Sequence, residues 1–288
     1  MASAIYLHRA GRTPILLERG EPGGLLRNAS LVENYPGFPG GIKGPDLVHQ
    51  FKKQLDMLGI SVTKKKVERV SALHGSFRID MSAGTLFTRS LIIATGTRPK
   101  KISLPGSAAL AGDRVFTEIV EMPLSKAFGK RVVVIGGGDA AFDYGLNLAE
   151  RGADVTIVVR SEPECLSLLK ARAQASGIDV LTGFAVDRLR SANGGVSVRC
   201  TRGEDRRDLL ADYVLIACGR EPNVEILSSS LRRQIGNAER IPETEVPGLF
   251  IVGDVVRGKY RQTAIAVGDG IRAAMMADEF LRKTEASR

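Results

Sequence analysis

The residues best suited to chemistry lie in the middle of this 288-residue chain. There Gly136-Gly137-Gly138-Asp139-Ala140-Ala141 follows the β-branched run Val132-Val133-Val134-Ile135. The turn reads G-x-G-x-x-A. Its first glycine makes a tight bend, its second lets backbone approach a pyrophosphate, and the alanine in third place lets a helix pack closely on a strand. A helix opening at Asp139 turns unpaired N–H groups and the positive end of its dipole toward phosphate. The helical pattern runs to about Arg151, Gly152-Ala153-Asp154 turns the chain, and Val155 to Val159 reads as a second buried strand. Strand, glycine turn, helix and strand form a βαβ unit of about thirty residues, and in that setting the glycines predict a dinucleotide site. The residue closing the second strand reports on the ribose: an acid suits NAD, whereas a nearby arginine accommodates the 2′-phosphate of NADP. Arg160 stands there, followed by Ser161 and Glu162, which leans to NADP and leaves NAD open.

Other reactive side chains are sparse. Cys165, Cys200 and Cys218 are isolated, with no CxxC and no metal-ligand spacing; Cys165 follows the second strand and Cys218 falls in an apolar run, so both read as structural thiols. His8, His49 and His74 have no neighbours that suggest catalysis and read as surface residues. No side-chain acid, base or nucleophile stands out, and the catalytic residues are left unknown. With 41 Lys+Arg against 32 Asp+Glu the net charge is +9. Such a surface attracts acidic proteins, phosphorylated cofactors or nucleic acid. The basic runs Lys64-Lys65-Lys66 and Arg98-Pro99-Lys100-Lys101 lack the interleaved aromatics of single-strand binders, and no zinc-finger or helix-turn-helix pattern is present, so nucleic acid is not expected. No window is apolar enough to span a membrane, and the start MASAIYLHRAG has no basic stretch ahead of a long apolar one, so a signal peptide is not expected; the three isolated cysteines fit a reducing, cytoplasmic compartment.

The elements that must position these groups follow from punctuation and period. Ala2 to Ala10 is helical and Gly11 stops it; Pro14 to Glu18 is a strand ending in an acid, as the second half of an adenosine-binding βαβ unit ends. Pro45 to about Leu58 is an amphipathic helix, and Ile60–Val70, Ser76–Met81 and Thr85–Ile93 alternate as strands. Arg98 to Leu110, basic and with two prolines, reads as a linker. Leu91 to Gly96 is echoed by Tyr213 to Gly219: a strand, a small residue and a glycine. Leu249 to Val252 is a buried strand ending in Gly253-Asp254, and an apolar-faced helix from about Thr263 to Leu281 closes the chain.

These stretches, taken in order, resemble the thioredoxin-reductase-like flavoproteins of the two-dinucleotide-binding-domain class. The resemblance covers nearly the whole chain. It rests on Glu21-Pro22-Gly23-Gly24, on Val32 to Pro39 (VENYPGFP), on Ala94-Thr95-Gly96, on Gly136 to Ala141, on Gly253-Asp254-Val255 and on Tyr260 to Thr263. It implies an α/β fold of two Rossmann-like domains: a discontinuous FAD domain, 1–107 plus 245–288, into which the NAD(P)H domain, 108–244, is inserted. By the same resemblance Glu18 would bond the adenosine ribose of FAD. Gly23, Gly24 and Asn34 would line the flavin, Gly253 and Asp254 would hold the ribityl and pyrophosphate region, and Arg261, Gln262 and Thr263 would meet the pyrimidine edge; Thr95 and Gly96, in a turn small enough to pack against a ligand, are expected among the cofactor-binding residues. Gly136, Gly138, Asp139, Ala140, Ala141, Arg160 and Gly219 would serve the nicotinamide nucleotide. A homodimer is implied as well.

Three departures limit what carries over. The family's CxxC lies shortly before its NADPH glycines; an ungapped count back from Gly136 places Ile119-Val120-Glu121-Met122 there, and no cysteine occurs before Cys165. A disulfide relay needs two thiols near the flavin, so thioredoxin-disulfide reduction is disfavoured. The expected acceptor is instead a quinone, a small molecule, oxygen, or an acidic redox protein of the ferredoxin or flavodoxin kind. The first strand and glycine loop of the FAD unit are also missing, because the chain begins inside the following helix. The simplest reading is a start upstream of Met1; a shortened or decayed copy is the alternative. The expectation is poor FAD retention by these 288 residues, and good retention by a form that carries the missing unit. Leu25 stands where the family often has a polar residue, which makes the flavin surroundings more apolar. The alternative to an enzyme is a non-catalytic NAD(P)H-binding remnant that has lost FAD.

Overall fold

A computed structural model gives the fold, and the structure describes residues 1–234 and 242–287. The chain divides into two compact units: Met1–Leu26, Glu33–Arg98 and Glu221–Arg288 form the first, Arg27–Val32 and Pro99–Arg220 the second. In chain order, the elements up to the first crossing are α1 (Ala2–Arg9), β1 (Leu16–Glu18), α2 (Gly44–Met57), β2 (Val62–Lys64), β3 (Val67–Leu73), β4 (Ser76–Met81), β5 (Thr85–Thr88), β6 (Leu91–Ile93) and β7 (Thr97–Pro99). Next come α3 (Ser107–Leu110), β8 (Val115–Phe116), β9 (Arg131–Ile135), α4 (Asp139–Glu150), β10 (Asp154–Val159) and α5 (Ser167–Ala175). They are followed by β11 (Asp179–Thr182), β12 (Ala185–Ala192), β13 (Gly195–Arg202), β14 (Asp205–Ala211), β15 (Tyr213–Ile216) and β16 (Arg220–Pro222). The chain then returns through α6 (Ser229–Gln234), β17 (Leu249–Ile251) and α7 (Thr263–Ala286).

The second unit is built on a five-stranded parallel sheet in the order β11-β10-β9-β15-β8. Alternation along β9 explains its two covered faces. Val132 and Val134 pack with Phe142 and Leu148 of α4, while Val133 and Ile135 pack with Val196, Val198 and Cys200 of the antiparallel meander β12-β13-β14. Each such valine or isoleucine contributes about 1.5–3 kcal/mol by leaving water. That continuous burial is why the sequence run is apolar without a break.

The first unit uses the same device on a smaller scale. β17 pairs in parallel with β6. Leu249 and Ile251 face a core shared with Val70, Phe77 and Ile79 of β3 and β4, and Phe250 and Val252 face Ala273 and Ala277 of α7. β1 pairs in parallel with β2. α1 lies against α7, where Ser3 Oγ donates to the Gly270 carbonyl at 2.8 Å and Arg12 reaches the buried Asp278 at 2.7 Å and Glu285 at 2.9 Å.

Two expectations from sequence change here. The 98–110 stretch is not a bare linker: β7 and α3 lie in it, Leu104 packs on the second unit's meander core, and the Pro105 carbonyl accepts from Leu189 N at 2.8 Å. The units therefore divide at 98/99, against 107/108 expected. On the return they divide at 220/221, against 244/245, because Ile226, Leu227 and Leu231 pack into the first unit's core. The closing helix outruns Leu281 to Ala286, with Asp278–Arg282 and Glu279–Lys283 pairs four residues apart supporting its last turns.

Candidate functional site

In the second unit the predicted residues converge at the carboxyl ends of three adjacent parallel strands, where ligands of open α/β sheets bind. Gly136 follows β9, Arg160 follows β10 and is exposed, and Gly219 follows β15. Ala217 N donates to the Ile135 carbonyl at 2.8 Å, which draws the β15 end against the glycine turn. The glycines are required by contact. A Cβ on Gly136 would stand 2.4 Å from the Ala217 carbonyl oxygen, and one on Gly137 would stand 2.6 Å from Val159 Cγ1. At Gly138 a Cβ would meet nothing within 4 Å, so this backbone faces open space, as approach by a pyrophosphate demands. Ala141 is fully buried, and its Cβ would be 3.2 Å from a Cβ on Gly136, so a larger side chain would push α4 off the strand. Asp139 and Ala140 open α4 and are exposed, and Gly138 is its N-cap with no side-chain cap bond. Asp139 turns its carboxylate aside to accept from Leu166 N at 2.8 Å, which leaves the helix end to backbone donors. These residues fit a dinucleotide pyrophosphate.

In the first unit β1, β6 and β17 deliver Glu18, Thr95–Gly96 and Gly253–Asp254 at their carboxyl ends. Glu18 accepts from Gly20 N at 2.8 Å, which shapes the turn that leads to Gly23 and Gly24. Thr95 and Gly96 are held by Asn223: Thr95 Oγ1 donates to the Asn223 carbonyl at 2.6 Å, and Asn223 N donates to the Gly96 carbonyl at 3.0 Å. Val252 N donates to the Ile93 carbonyl at 2.9 Å, so the two glycine-bearing turns sit side by side. Asn34 Nδ2 donates to Gln262 Oε1 at 2.7 Å, which joins the VENYPGFP loop to the start of α7, where Gln262 is the N-cap and Thr263 the first residue. Arg261 Nε is buried and has no hydrogen-bond partner among the described residues. A buried donor left unpaired costs about 1–3 kcal/mol, and an acceptor carried by a ligand would satisfy it. With Gly253 in the left-handed region (φ 73°) beside the N-terminus of α7, the site fits a polyol-linked, electron-accepting ring system such as FAD. Of these first-unit residues, Glu18, Thr95, Gly96, Gly253 and Asp254 stand at strand ends, and Asn34 meets Gln262 at the start of α7.

The thiols correct one expectation. Cys218 is not inside a strand: it lies beyond β15 and the residue is exposed, although its Sγ turns inward to the Ile135 carbonyl at 3.4 Å. Cys165 is half-buried and Cys200 buried in β13. Burial pushes all three thiols up, Cys200 to about 11, so none is poised as a thiolate. Ile119 and Met122, where the CxxC would fall, are core residues of the second unit, 1% and 6% exposed. His8, His49 and His74 are exposed. Among the described residues no group of ligating side chains could hold a metal ion, and no helix is long and apolar enough to cross a membrane.

Sequence reasoning missed several polar positions. Asn28, Tyr144 and Glu118 form a buried triangle in the second unit: Asn28 Nδ2 donates to Glu118 Oε2 at 2.9 Å and Tyr144 OH donates to the same oxygen at 3.2 Å, while Arg220 pairs with Glu118 Oε1 at 2.6 Å. Beside it Asp143 accepts from Ser30 N, and burial, with Glu150 and Asp139 nearby, raises its carboxyl to about 6. In the first unit Asn223 and Asp269 were missed. Asp269 had a signal: it is an acid on the small-residue face of α7 that also carries Gly270, Ala273 and Ala277.

Two dinucleotide cradles in one chain, each at the carboxyl ends of parallel strands, define an FAD/NAD(P) oxidoreductase architecture of the thioredoxin-reductase type. The comparisons agree. The family model described as pyridine nucleotide-disulphide oxidoreductase matches residues 1–270, and the chain belongs to that family. A thioredoxin reductase of Bacillus subtilis is 32% identical over 300 residues, covering 99% of this chain and 92% of the relative. One from Streptomyces clavuligerus is 31% identical over 292 residues, covering 97% and 89%. Among solved structures, Lactococcus lactis thioredoxin reductase superposes with a TM-score of 0.87 at 28% identity, covering 98% of this chain and 95% of that one.

Proposed function

We propose that this protein is an NAD(P)H-dependent flavin oxidoreductase that delivers electrons to an acceptor other than a CxxC-linked disulfide. The observation that carries the proposal is the presence of two nucleotide cradles together with core packing where the CxxC would fall, Ile119 and Met122 lying in one cluster with Phe142 and Leu148. A thiol pair is absent from that position, and the three cysteines present are buried or turned inward with raised pKa values.

When bound, FAD takes hydride from reduced nicotinamide and passes the electrons on singly or in pairs. The chain's residues supply position and electrostatics. Gly138 and the opening turn of α4 receive the nucleotide's pyrophosphate, and Arg160 stands where a 2′-phosphate would be paired. Glu18 and Asp254 offer carboxylate acceptors to ribose and ribityl hydroxyls. Arg261, Gln262 and Thr263, at the α7 N-terminus, direct donors and the positive helix end at the pyrimidine edge, which favours the reduced ring's negative charge. The test is anaerobic addition of NADPH or NADH to the yellow protein: bleaching of the flavin band supports the reading, and a colourless protein that still binds NADPH supports the non-catalytic alternative.

An acidic protein acceptor is favoured over a neutral one by a second observation. The outward rows of the β12-β13-β14 meander carry Arg188, Arg190, Arg199 and Arg206 against Asp208 and the neighbouring Asp187. Such a face raises association with acidic carriers in a salt-dependent way; an acceptor whose reduction rate is independent of ionic strength speaks against it.

A further inference from the structure

We propose that Asp269 is a positioning residue for the flavin cradle, a carboxylate clamp that closes the 253–257 turn from α7; this rests on the FAD reading above. The turn leaves β17 through a short 3₁₀ segment, Gly253–Val255, that carries Asp254. Asp269, 5% exposed, holds both of its ends. Oδ2 accepts from Gly253 N at 3.2 Å and from Arg257 Nε at 2.8 Å, and Oδ1 receives Arg257 Nη2. One side chain thus fixes the first residue of the turn by its backbone and the last by a two-pronged ion pair.

The placement is specific. Gly253 has φ 73°, and a Cβ there would sit 3.4 Å from Ala266 Cβ, so the turn is pressed onto α7 one helical turn before Asp269. Val255, 1% exposed, locks the middle of the turn into the first unit's core. With both ends and the middle fixed, the backbone that carries Asp254 has little freedom left. A buried acid costs solvation free energy unless it is paired and fully hydrogen-bonded. Asp269 meets that condition only through the turn it closes, so its burial and the turn's shape are one arrangement. Asp269 itself is covered and acts through Gly253 and Arg257.

The test uses the protein stripped of FAD and titrated with FAD by visible absorbance and flavin fluorescence, beside thermal unfolding of the stripped form. Asp269→Asn keeps the shape and removes the charge and one acceptor. It is expected to weaken FAD binding at least about tenfold and to alter the bound flavin's absorption envelope, with NADPH affinity of the second unit unchanged. Arg257→Lys, at a half-exposed residue, keeps charge and loses the fork; it carries the test should Asp269→Asn fail to fold, with an expected loss of about threefold. Wild-type affinity and spectrum in either folded variant overturn the proposal while leaving the FAD reading intact. A wild-type protein that takes up no FAD overturns both.

Discussion

Asn34 and Gln262, 228 positions apart in the chain, are joined by a 2.7 Å hydrogen bond from Asn34 Nδ2 to Gln262 Oε1. The bond ties the VENYPGFP loop to the N-cap of α7, so two stretches recognisable only as separate motifs become one wall of the first-unit cradle. Asn34→Ala is expected to cost about 1 kcal/mol of that wall's order, read as roughly fivefold weaker FAD binding with unchanged NADPH affinity in titrations of each cofactor.

The glycine turn makes a sharper prediction because its limits are steric. In Gly136→Ala the new Cβ would stand 2.4 Å from the Ala217 carbonyl, so the turn must shift. The KM for the nicotinamide nucleotide should rise by more than about tenfold, while FAD content per protein stays at the wild-type level. Gly138→Ala should differ: the protein accommodates the methyl, and unfolding is unchanged, but the methyl fills the face that pyrophosphate would use, so nucleotide binding falls.

Arg160 is exposed at the end of β10 with Glu162 two residues on. If it pairs with a 2′-phosphate, Arg160→Ala lowers kcat/KM for NADPH about tenfold, the weight of one charged hydrogen bond, and leaves NADH nearly unchanged. Steady-state rates with both nucleotides read this directly.

Asp143 yields a pH prediction. Its carboxyl titrates at about 6 in the folded chain against 3.8 as the ordinary value, because burial outweighs the Ser30 N–H bond. The folded state therefore binds the proton more tightly than the unfolded one, and stability falls as pH rises from about 4 to above 6. Asp143→Asn should remove that penalty, raising stability by about 1–3 kcal/mol at pH 7.5 and by almost nothing at pH 4, as urea unfolding at the two pH values would reveal.

How far residues alone reached depends on whether the interaction is local. The βαβ unit from Arg131 to Val159 was legible because a buried parallel strand must be apolar on both faces and its turn must be small; both demands are written in neighbouring residues. The 98–110 stretch was misread because two prolines and three basic residues look like a linker, whereas Leu104 and the Pro105 carbonyl find partners in β12 and the meander core some eighty residues on. Cys218 looked strand-bound because the apolar run ends on it, but the ladder stops at Ile216. Arg257 was silent, since only the 3₁₀ turn folds a loop arginine back onto Asp269 of the α7 face.

The most direct measurement of the central claim is anaerobic flavin reduction by NADPH in two forms of the protein: wild type and one carrying Cys165→Ser, Cys200→Ala and Cys218→Ser together. Full bleaching by one equivalent of NADPH in both, at equal rates, is the expected result. A flavin that bleaches only when the cysteines are present, or a wild-type protein that holds none, would contradict electron transfer between two nucleotides without sulfur.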